Sequence, residues 1–267
     1  IAVATSPLEA FGFLASLKTP YGRLVGQVKD PQGRGIATAV IKFQRDEVSL
    51  RHYPDDEGQW NLQLPSGSYQ MRIMDQGRSE LVQTVNIEAD QVMPVSLTMG
   101  KASQIHFDVR DEAGRSLPCK AQFIGLEPTP SPNLGPENRA HGCKDQYHTE
   151  SGLFSVALSP GSYRVVVTHG IEFSHVSQVI TLKEGGSEHL SVTLKRLVDT
   201  TGWVSTDFHN HSTPSGDNHT KTDDRIINLA AEQVEFAPTT EHNRLYDWTP
   251  HIEALGLSAF LHSVPGV

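Results

Sequence analysis

Hydrophobic and polar residues alternate along much of the first two hundred positions. Trp60, Leu62 and Leu64 are separated by polar side chains, and a run of the same form recurs at 152–158. Strict alternation predicts strands with one buried and one solvated face. Because no helical periodicity separates these runs, the pattern predicts antiparallel β-sandwiches.

The same part of the chain contains an internal repeat. VKDPQGRGI at 28–36 returns as VRDEAGRSL at 109–117, and GQWNLQLPSGSYQMRI at 58–73 returns as GLFSVALSPGSYRVVV at 152–167. An offset of about 80 to 95 residues indicates a duplicated domain, since solenoid repeats are shorter. The predicted boundaries are 1–20 for an unassigned segment, 21–100 and 101–197 for the two repeats, and 198–267 for the remainder.

Both repeats resemble the carboxypeptidase-regulatory-like, or transthyretin-like, β-sandwich. The motif G-x-V-x-D-x-x-G followed by G-x-Y-x-h-x-h, where h is hydrophobic, carries the resemblance within 22–99 and 103–196. The resemblance implies small binding or spacer modules, often found in secreted or periplasmic enzymes. It therefore implies a periplasmic or secreted location.

The second repeat differs by an insertion at 127–148 that is rich in Pro, Gly and Asn. Long segments without their own periodicity are often functional or mobile. His141 and His148 either line a site or are solvated loop histidines, and the pattern favours the second interpretation.

Cys119 and Cys143 are the only cysteines. Neither belongs to a C-x-x-C pair, so a thiolate zinc site is not expected. The two residues either form a disulfide, which an oxidising compartment permits, or remain free thiols.

From Trp203 onward the periodicity changes. The apolar positions Ile226, Ile227, Leu229 and Ala230 form one helical face. Strands alternating with helices over short links predict a βαβαβ unit with parallel strands. The predicted strands are WVSTDFHNH (203–211), EFAPTTEHN (235–243) and FLHSVPGV (260–267), and the predicted helices are 223–234 and 247–257.

Potential metal ligands follow the ends of these predicted strands. His209 and His211 share one strand face, Asp217 follows a loop of small residues, and His242 ends the next strand. Active sites of parallel α/β folds lie at the carboxyl ends of strands. Imidazole with carboxylate suits zinc, manganese or iron better than calcium. H-x-H alone is equally compatible with exposed histidines, but with Asp217 and TEHN the pattern predicts a metal site.

The sequence DFHNHSTPSGDN followed by LAAEQVEFAPTTEHN resembles the PHP (polymerase and histidinol phosphatase) metallohydrolases, and within them the carbaryl hydrolase-like CehA/McbA branch, over 203–267. The resemblance implies a distorted seven-stranded β/α barrel that holds two or three divalent metal ions. His209 and His211 match the family's H-x-H ligands, and His242 matches the histidine of the second motif. Asp217 matches the loop aspartate, although this loop is one residue longer than the common form. Glu241 occupies the acidic position before His242.

The expected function is that of a metal-dependent hydrolase acting on a small-molecule substrate. A metal-activated water would attack an ester, amide, carbamate or phosphoester bond. Asp207 and Glu241 either hold ligand imidazoles in the required tautomer or are surface and capping carboxylates. The family's later ligands have no counterpart before Val267, so we expect an amino-terminal fragment that is at most weakly active alone. The alternative is a non-catalytic tandem sandwich that binds glycan or protein, with an incomplete barrel.

Composition restricts the partners. A net charge of -9 argues against a nucleic-acid partner, which requires clustered Lys and Arg. The chain has no apolar run of about 18 residues, so no membrane span is expected. Nothing in the composition indicates an oligomeric state.

Overall fold

The computed structural model describes residues 20–266. The predicted unassigned segment at 1–20 lies outside the described residues except for Pro20. The chain forms two compact units: one runs up to Ser103 and includes 157–160 and 183–186, and the other contains 104–156, 161–182 and the chain from Ser187 onward. Neither helix within residues 20–266 has the length and apolar character needed to cross a membrane.

The first sandwich has seven strands among the described residues. They are β1 (Tyr21–Lys29), β2 (Val40–Arg45), β3 (Val48–His52), β4 (Gln59–Pro65), β5 (Gly67–Met74), β6 (Leu81–Ile87) and β7 (Val92–Thr98). They form two sheets, of order β4-β1-β7 and β3-β2-β5-β6. Leu24, Phe43, Trp60 and Met71 belong to the buried core of this sandwich.

The second sandwich repeats this topology strand for strand. Its strands are β8 (Gln104–Asp111), β9 (Cys119–Gly125), β10 (Gln146–Thr149), β11 (Leu153–Ala157), β12 (Gly161–Thr168), β13 (Val176–Leu182) and β14 (Ser187–Leu194). The sheets have the orders β11-β8-β14 and β10-β9-β12-β13. The two sequence repeats therefore have the same fold, and the sandwich prediction is confirmed.

The alternation in β4 has the predicted structural result. Trp60, Leu62 and Leu64 are buried, and the polar residues between them are not. In β11 the pattern is weaker, because Phe154 is only half-buried while Val156 is buried.

The prediction of purely antiparallel sandwiches is wrong for one strand pair in each repeat. β1 runs parallel to β7, with Leu24 opposite Met93, and β8 runs parallel to β14. These are the first and last strands of each repeat. Hairpin connections make neighbours antiparallel, but β1 and β7 are joined only through five intervening strands, which leaves their relative direction free.

The chain after the second sandwich contains α1 (Thr222–Ala231) and α2 (Thr249–Ala254) among the described residues. Three extended stretches pair in parallel through isolated bridges, Thr206 with Phe236, Phe236 with His262, and Thr239 with Pro265. We call 205–207, 235–239 and 262–265 the three parallel segments. The three segments run parallel, as predicted.

Full strands over 203–211, 235–243 and 260–267 were expected, and the described part of this region does not contain them. Pro238 and Pro265 contribute to this result, because a proline has no N–H for a hydrogen-bond ladder. No β/α barrel closes within residues 20–266, and Val267 lies outside the described residues. The barrel remains an expectation of the resemblance.

The predicted helices form but are shorter than expected. α1 ends at Ala231, and Gln233 has a φ of 58°, which takes the chain out of the helix. α2 covers only Thr249–Ala254, with Pro250 in its first turn as predicted. The predicted apolar face of α1 is buried in a core with Trp248 and Ile252; its members are Ile226, Ile227, Leu229 and Ala230.

The insertion of the second repeat packs against α1. Ala140 is fully buried in the α1 core, and its N–H donates to Asp224 Oδ1 at 2.7 Å. His148 is only 9% exposed and lies beside Glu232. The interpretation of His148 as a solvated loop histidine is therefore wrong, because α1 covers it. His141 is partly exposed and pairs with Glu150 at 2.7 Å.

Cys119 and Cys143 are free thiols in the structure. In the β9–β10 pair, Cys119 lies opposite Thr149 while Gln122 lies opposite Gln146. Cys143 precedes Gln146 and so lies toward the far end of β9, with about 10 Å of strand between Cys119 and Gln122. A disulfide requires Cα atoms within about 7 Å, so this register separates the two cysteines.

Candidate metal centre

The structure brings all four predicted ligands together. His209 and His211 follow the first parallel segment, and His242 follows the second. The ring centroids of His209 and His211 are 4.8 Å apart, and those of His211 and His242 are 4.5 Å apart. Asp217 Oδ2 lies 3.1 Å from His242 Nε2. The longer loop therefore still delivers the Asp217 carboxylate to the cluster.

The H-x-H stretch is not part of a strand, but burial still alternates along residues 209–211. Asn210, between the two histidines, is buried, whereas His209 is exposed and His211 half-buried. The Asn210 N–H donates to Thr240 Oγ1 at 2.8 Å, and Thr240 Oγ1 donates to the Asn210 carbonyl oxygen at 2.8 Å. These bonds tie the H-x-H stretch to the segment that carries His242.

Helix α1 contributes a further contact. Arg225 Nε donates to the carbonyl oxygen of His211 at 3.1 Å. The helix that follows the Asp217 loop thus holds the backbone of a predicted ligand.

Glu241 is a buried carboxylate with several donors. It accepts from the Ser212 N–H at 3.0 Å, from the Ser215 N–H at 3.1 Å, and from both serine hydroxyls. Burial raises the pKa of Glu241, but the bonds from Ser212 and Ser215 outweigh it and hold the pKa below its ordinary value. Glu241 therefore folds the loop that leads from His211 to Asp217.

Ser215 connects this carboxylate to two predicted ligands. Its hydroxyl is fully buried, receives the His242 N–H at 2.9 Å, and lies 3.3 Å from His211 Nδ1. The sequence interpretation treated the stretch between His211 and Asp217 only as a loop of small residues that leads to Asp217. The sequence feature that could have indicated these hydrogen bonds is the pair of serines after H-x-H, together with the acidic residue immediately before His242.

The two carboxylates that were considered as partners of ligand imidazoles make different contacts. Asp207 Oδ1 accepts the backbone N–H of His209 at 3.1 Å, an i to i+2 turn contact common for Asp. Glu241 reaches His211 only through Ser215. Asp207 therefore acts on His209 through the backbone, and Glu241 acts on His211 through the Ser215 hydroxyl.

The cluster fits a divalent cation in the type of its donor atoms. Three imidazoles and one carboxylate are ligands that zinc, manganese and iron accept. In the described part of the chain, no three His, Cys, Asp or Glu side chains are already arranged to hold a metal ion. His242 and Asp217 are more than half exposed, at 54% and 64%, so rotation of these side chains can gather the ligand atoms.

A separate cleft of about 530 Å³ lies at the amino ends of the parallel segments. Its lining includes Trp203, Val204, Phe236 and Phe260, and none of the predicted ligands. The largely apolar wall contrasts with the polar cluster at the carboxyl ends. The chemistry predicted from the sequence therefore belongs to the opposite end of these segments.

Comparisons with known proteins identify no family. No family model matches the chain, and no curated protein matches it. Among solved structures, the Bacillus anthracis TIE protein is 15% identical with a TM-score of 0.31, over 71% of this chain and 36% of that one. A Streptococcal ancillary pilin is 15% identical with a TM-score of 0.38, over 67% of this chain and 63% of that one.

The minor pilin GBS52 of Streptococcus agalactiae is 9% identical with a TM-score of 0.37, over 66% of this chain and 97% of that one. The chain thus spans about a third of the length of the first of these three proteins and under two thirds of the second. Similarities at these identities and TM-scores assign neither a family nor an activity.

Proposed function

We propose that the cluster of His209, His211, Asp217 and His242 is the ligand set of a metal-dependent hydrolase of the PHP type. One observation carries the proposal: residues separated by up to 33 positions in sequence meet at the carboxyl ends of parallel segments. Parallel α/β folds place their active sites at that edge. The proposed substrate is a small molecule with an ester, amide, carbamate or phosphoester bond.

Each residue has a role in the proposed site. His209, His211 and His242 supply imidazole nitrogens, and Asp217 supplies carboxylate oxygen. Ser212, Ser215 and Glu241 hold the connecting loop. Two or three zinc, manganese or iron ions would supply Lewis-acid chemistry, which activates water and polarises the bond under attack.

The second candidate is a non-catalytic module that binds glycan or protein. Two sandwiches occupy residues 21–194, and each consists of a three-stranded and a four-stranded sheet, an observation that favours this candidate. In that case the histidine cluster would have no role in metal binding. The two candidates differ in metal content.

The test is elemental analysis of the purified protein, with zinc titration of the metal-free form. We expect bound metal in the wild type and a lower content in His209→Ala and His211→Ala, since each loses one ligand. His175→Ala, which removes an exposed histidine of the second sandwich, is the matched control and should leave metal content unchanged. Less than one metal ion per wild-type chain, with no zinc bound on titration, would favour the sandwich module.

A further inference from the structure

The hydroxyl of Ser215 has three polar neighbours inside the loop of the metal centre. It contacts a Glu241 oxygen, receives the His242 backbone N–H at 2.9 Å, and lies 3.3 Å from His211 Nδ1. Ser215 is fully buried, so water does not compete for these positions. The arrangement allows the protons to be assigned.

A serine hydroxyl has one hydrogen to donate and two lone pairs that accept. The His242 N–H can only donate, so it occupies one lone pair of Ser215 Oγ. The Glu241 carboxylate accepts from two backbone N–H groups and from Ser212 Oγ as well, so it also accepts the hydrogen of Ser215. What remains for His211 Nδ1 is the second lone pair, which accepts a hydrogen bond. His211 Nδ1 must therefore carry a hydrogen.

We propose that Ser215 and Glu241 are positioning residues that hold neutral His211 in the tautomer protonated at Nδ1, which leaves the Nε2 lone pair free to bind a cation. The partner of one ring nitrogen sets which nitrogen is protonated, and the other becomes the ligand atom. The assignment of Nε2 as a ligand rests on the proposed function. The assignment of the tautomer stands on the hydrogen bonds alone.

The same hydroxyl also anchors His242, through its backbone N–H. Ser215 thus links the H-x-H stretch to the segment that follows the second parallel segment. Its loss should affect the relative placement of two ligands and the protonation of one. A residue that only stabilised the loop would not change which nitrogen of His211 is protonated.

The first experiment is long-range ¹H–¹⁵N correlation NMR of the ¹⁵N-labelled, metal-free protein at pH about 8.5, where imidazoles are neutral. The spectrum of His211→Gln identifies the His211 signals. We expect the Nδ1–H pattern in the wild type and a shift toward Nε2–H in Ser215→Ala. Thr213→Ala, an exposed neighbour in the same loop, should keep the wild-type pattern.

An Nε2–H pattern in the wild type, or an unchanged Nδ1–H pattern in folded Ser215→Ala, would overturn the tautomer assignment. If circular dichroism shows that Ser215→Ala does not fold, the wild-type pattern alone decides. The second experiment is calorimetric titration with Zn²⁺, where Ser215→Ala should lose roughly 10- to 100-fold in affinity and Thr213→Ala should not. A wild type that binds no Zn²⁺ would overturn the ligand assignment and the proposed function, while the NMR result would still decide the tautomer.

Discussion

At the scale of single residues, Glu241 shows how one buried side chain can determine a loop. Moving a carboxylate out of water is costly unless hydrogen bonds replace its hydration. Two N–H groups and two hydroxyls of Ser212 and Ser215 provide that replacement. The loop conformation that provides these donors also places Asp217 beside His242.

The two cysteines lie in different environments, which predicts different reactivity. Burial raises the pKa of the Cys119 thiol far above its ordinary range. Burial also raises the pKa of Cys143, but this residue is only partly buried and its sulfur lies 3.4 Å from the Glu137 carbonyl oxygen. Since the thiolate is the reactive form and must be accessible, a disulfide reagent at pH 8 should modify Cys143 slowly and Cys119 only after unfolding.

The measurement is a colorimetric thiol count, with one thiol per chain expected in the native protein and two in denaturant. Cys143→Ser should abolish the native reaction. Modification of both thiols at equal rates in the folded protein would contradict the burial of Cys119.

At the scale of elements, α1 is the centre of the carboxyl-terminal region. The insertion of the second repeat packs on it through Ala140, and His251 Nδ1 of α2 lies 2.6 Å from Asp223 Oδ1 of α1. The hydrogen bond from the Ala140 N–H to the Asp224 carboxylate holds the insertion against the amino end of α1. A Pro-rich segment without periodicity is thus held by a helix whose contacting residue lies 84 positions away in sequence.

Ala140→Asp tests this packing. The change places a carboxylate with no partner in an apolar core, and it should destabilise the second unit by about 3 kcal/mol. Amide exchange in a peptide covering 222–231 should become faster. Ala37→Asp, at an exposed alanine of the first sandwich, is the control and should leave exchange in α1 unchanged. Wild-type exchange rates in folded Ala140→Asp would contradict the packing of the insertion on α1.

At the scale of the whole molecule, the second sandwich and the carboxyl-terminal region belong to one compact unit. Lys120 of β9 forms an ion pair with Glu232 just after α1, and His148 Nε2 lies 3.8 Å from the same carboxylate. Gln233 Nε2, one residue further on, donates to Glu172 at 2.9 Å. These polar contacts attach the second sandwich to the end of α1, the helix that follows the Asp217 loop of the candidate metal centre.

Glu232 predicts how this association depends on pH. The nearby His148 imidazole and the Lys120 ammonium outweigh burial and lower the pKa of Glu232 from 4.5 to about 2. A lowered folded-state pKa stabilises the fold above the unfolded value, and this contribution is lost as pH falls from about 4.5 to about 2. The urea midpoint of the second unit should therefore decrease over that window.

Glu232→Gln should be less stable than the wild type at pH 7 and should lose less stability between pH 4.5 and 2. Glu253→Gln, at an exposed position of α2, should follow the wild-type pH dependence. Equal pH dependence in the wild type and Glu232→Gln would show that the carboxylate does not contribute to the association.

The sequence by itself determined the features that depend on local periodicity and on order along the chain. Alternation at Trp60, Leu62 and Leu64 predicted the buried face of a strand, and the 3.6-residue pattern predicted the buried face of α1. The repeat predicted two copies of one fold. Motif order placed His209, His211 and His242 after successive parallel segments, because chain direction alone sets which segment end a residue follows.

Only the tertiary structure decided what depends on contacts between distant positions. The parallel pairing of β1 with β7, the burial of His148 and the separation of Cys119 from Cys143 all follow from strand register and helix docking. The bonds from Ser215 to Glu241 and to His242 likewise join stretches that local periodicity cannot relate. Side-chain periodicity reports which face of an element is buried, whereas the partner on that face is selected by packing over the whole chain.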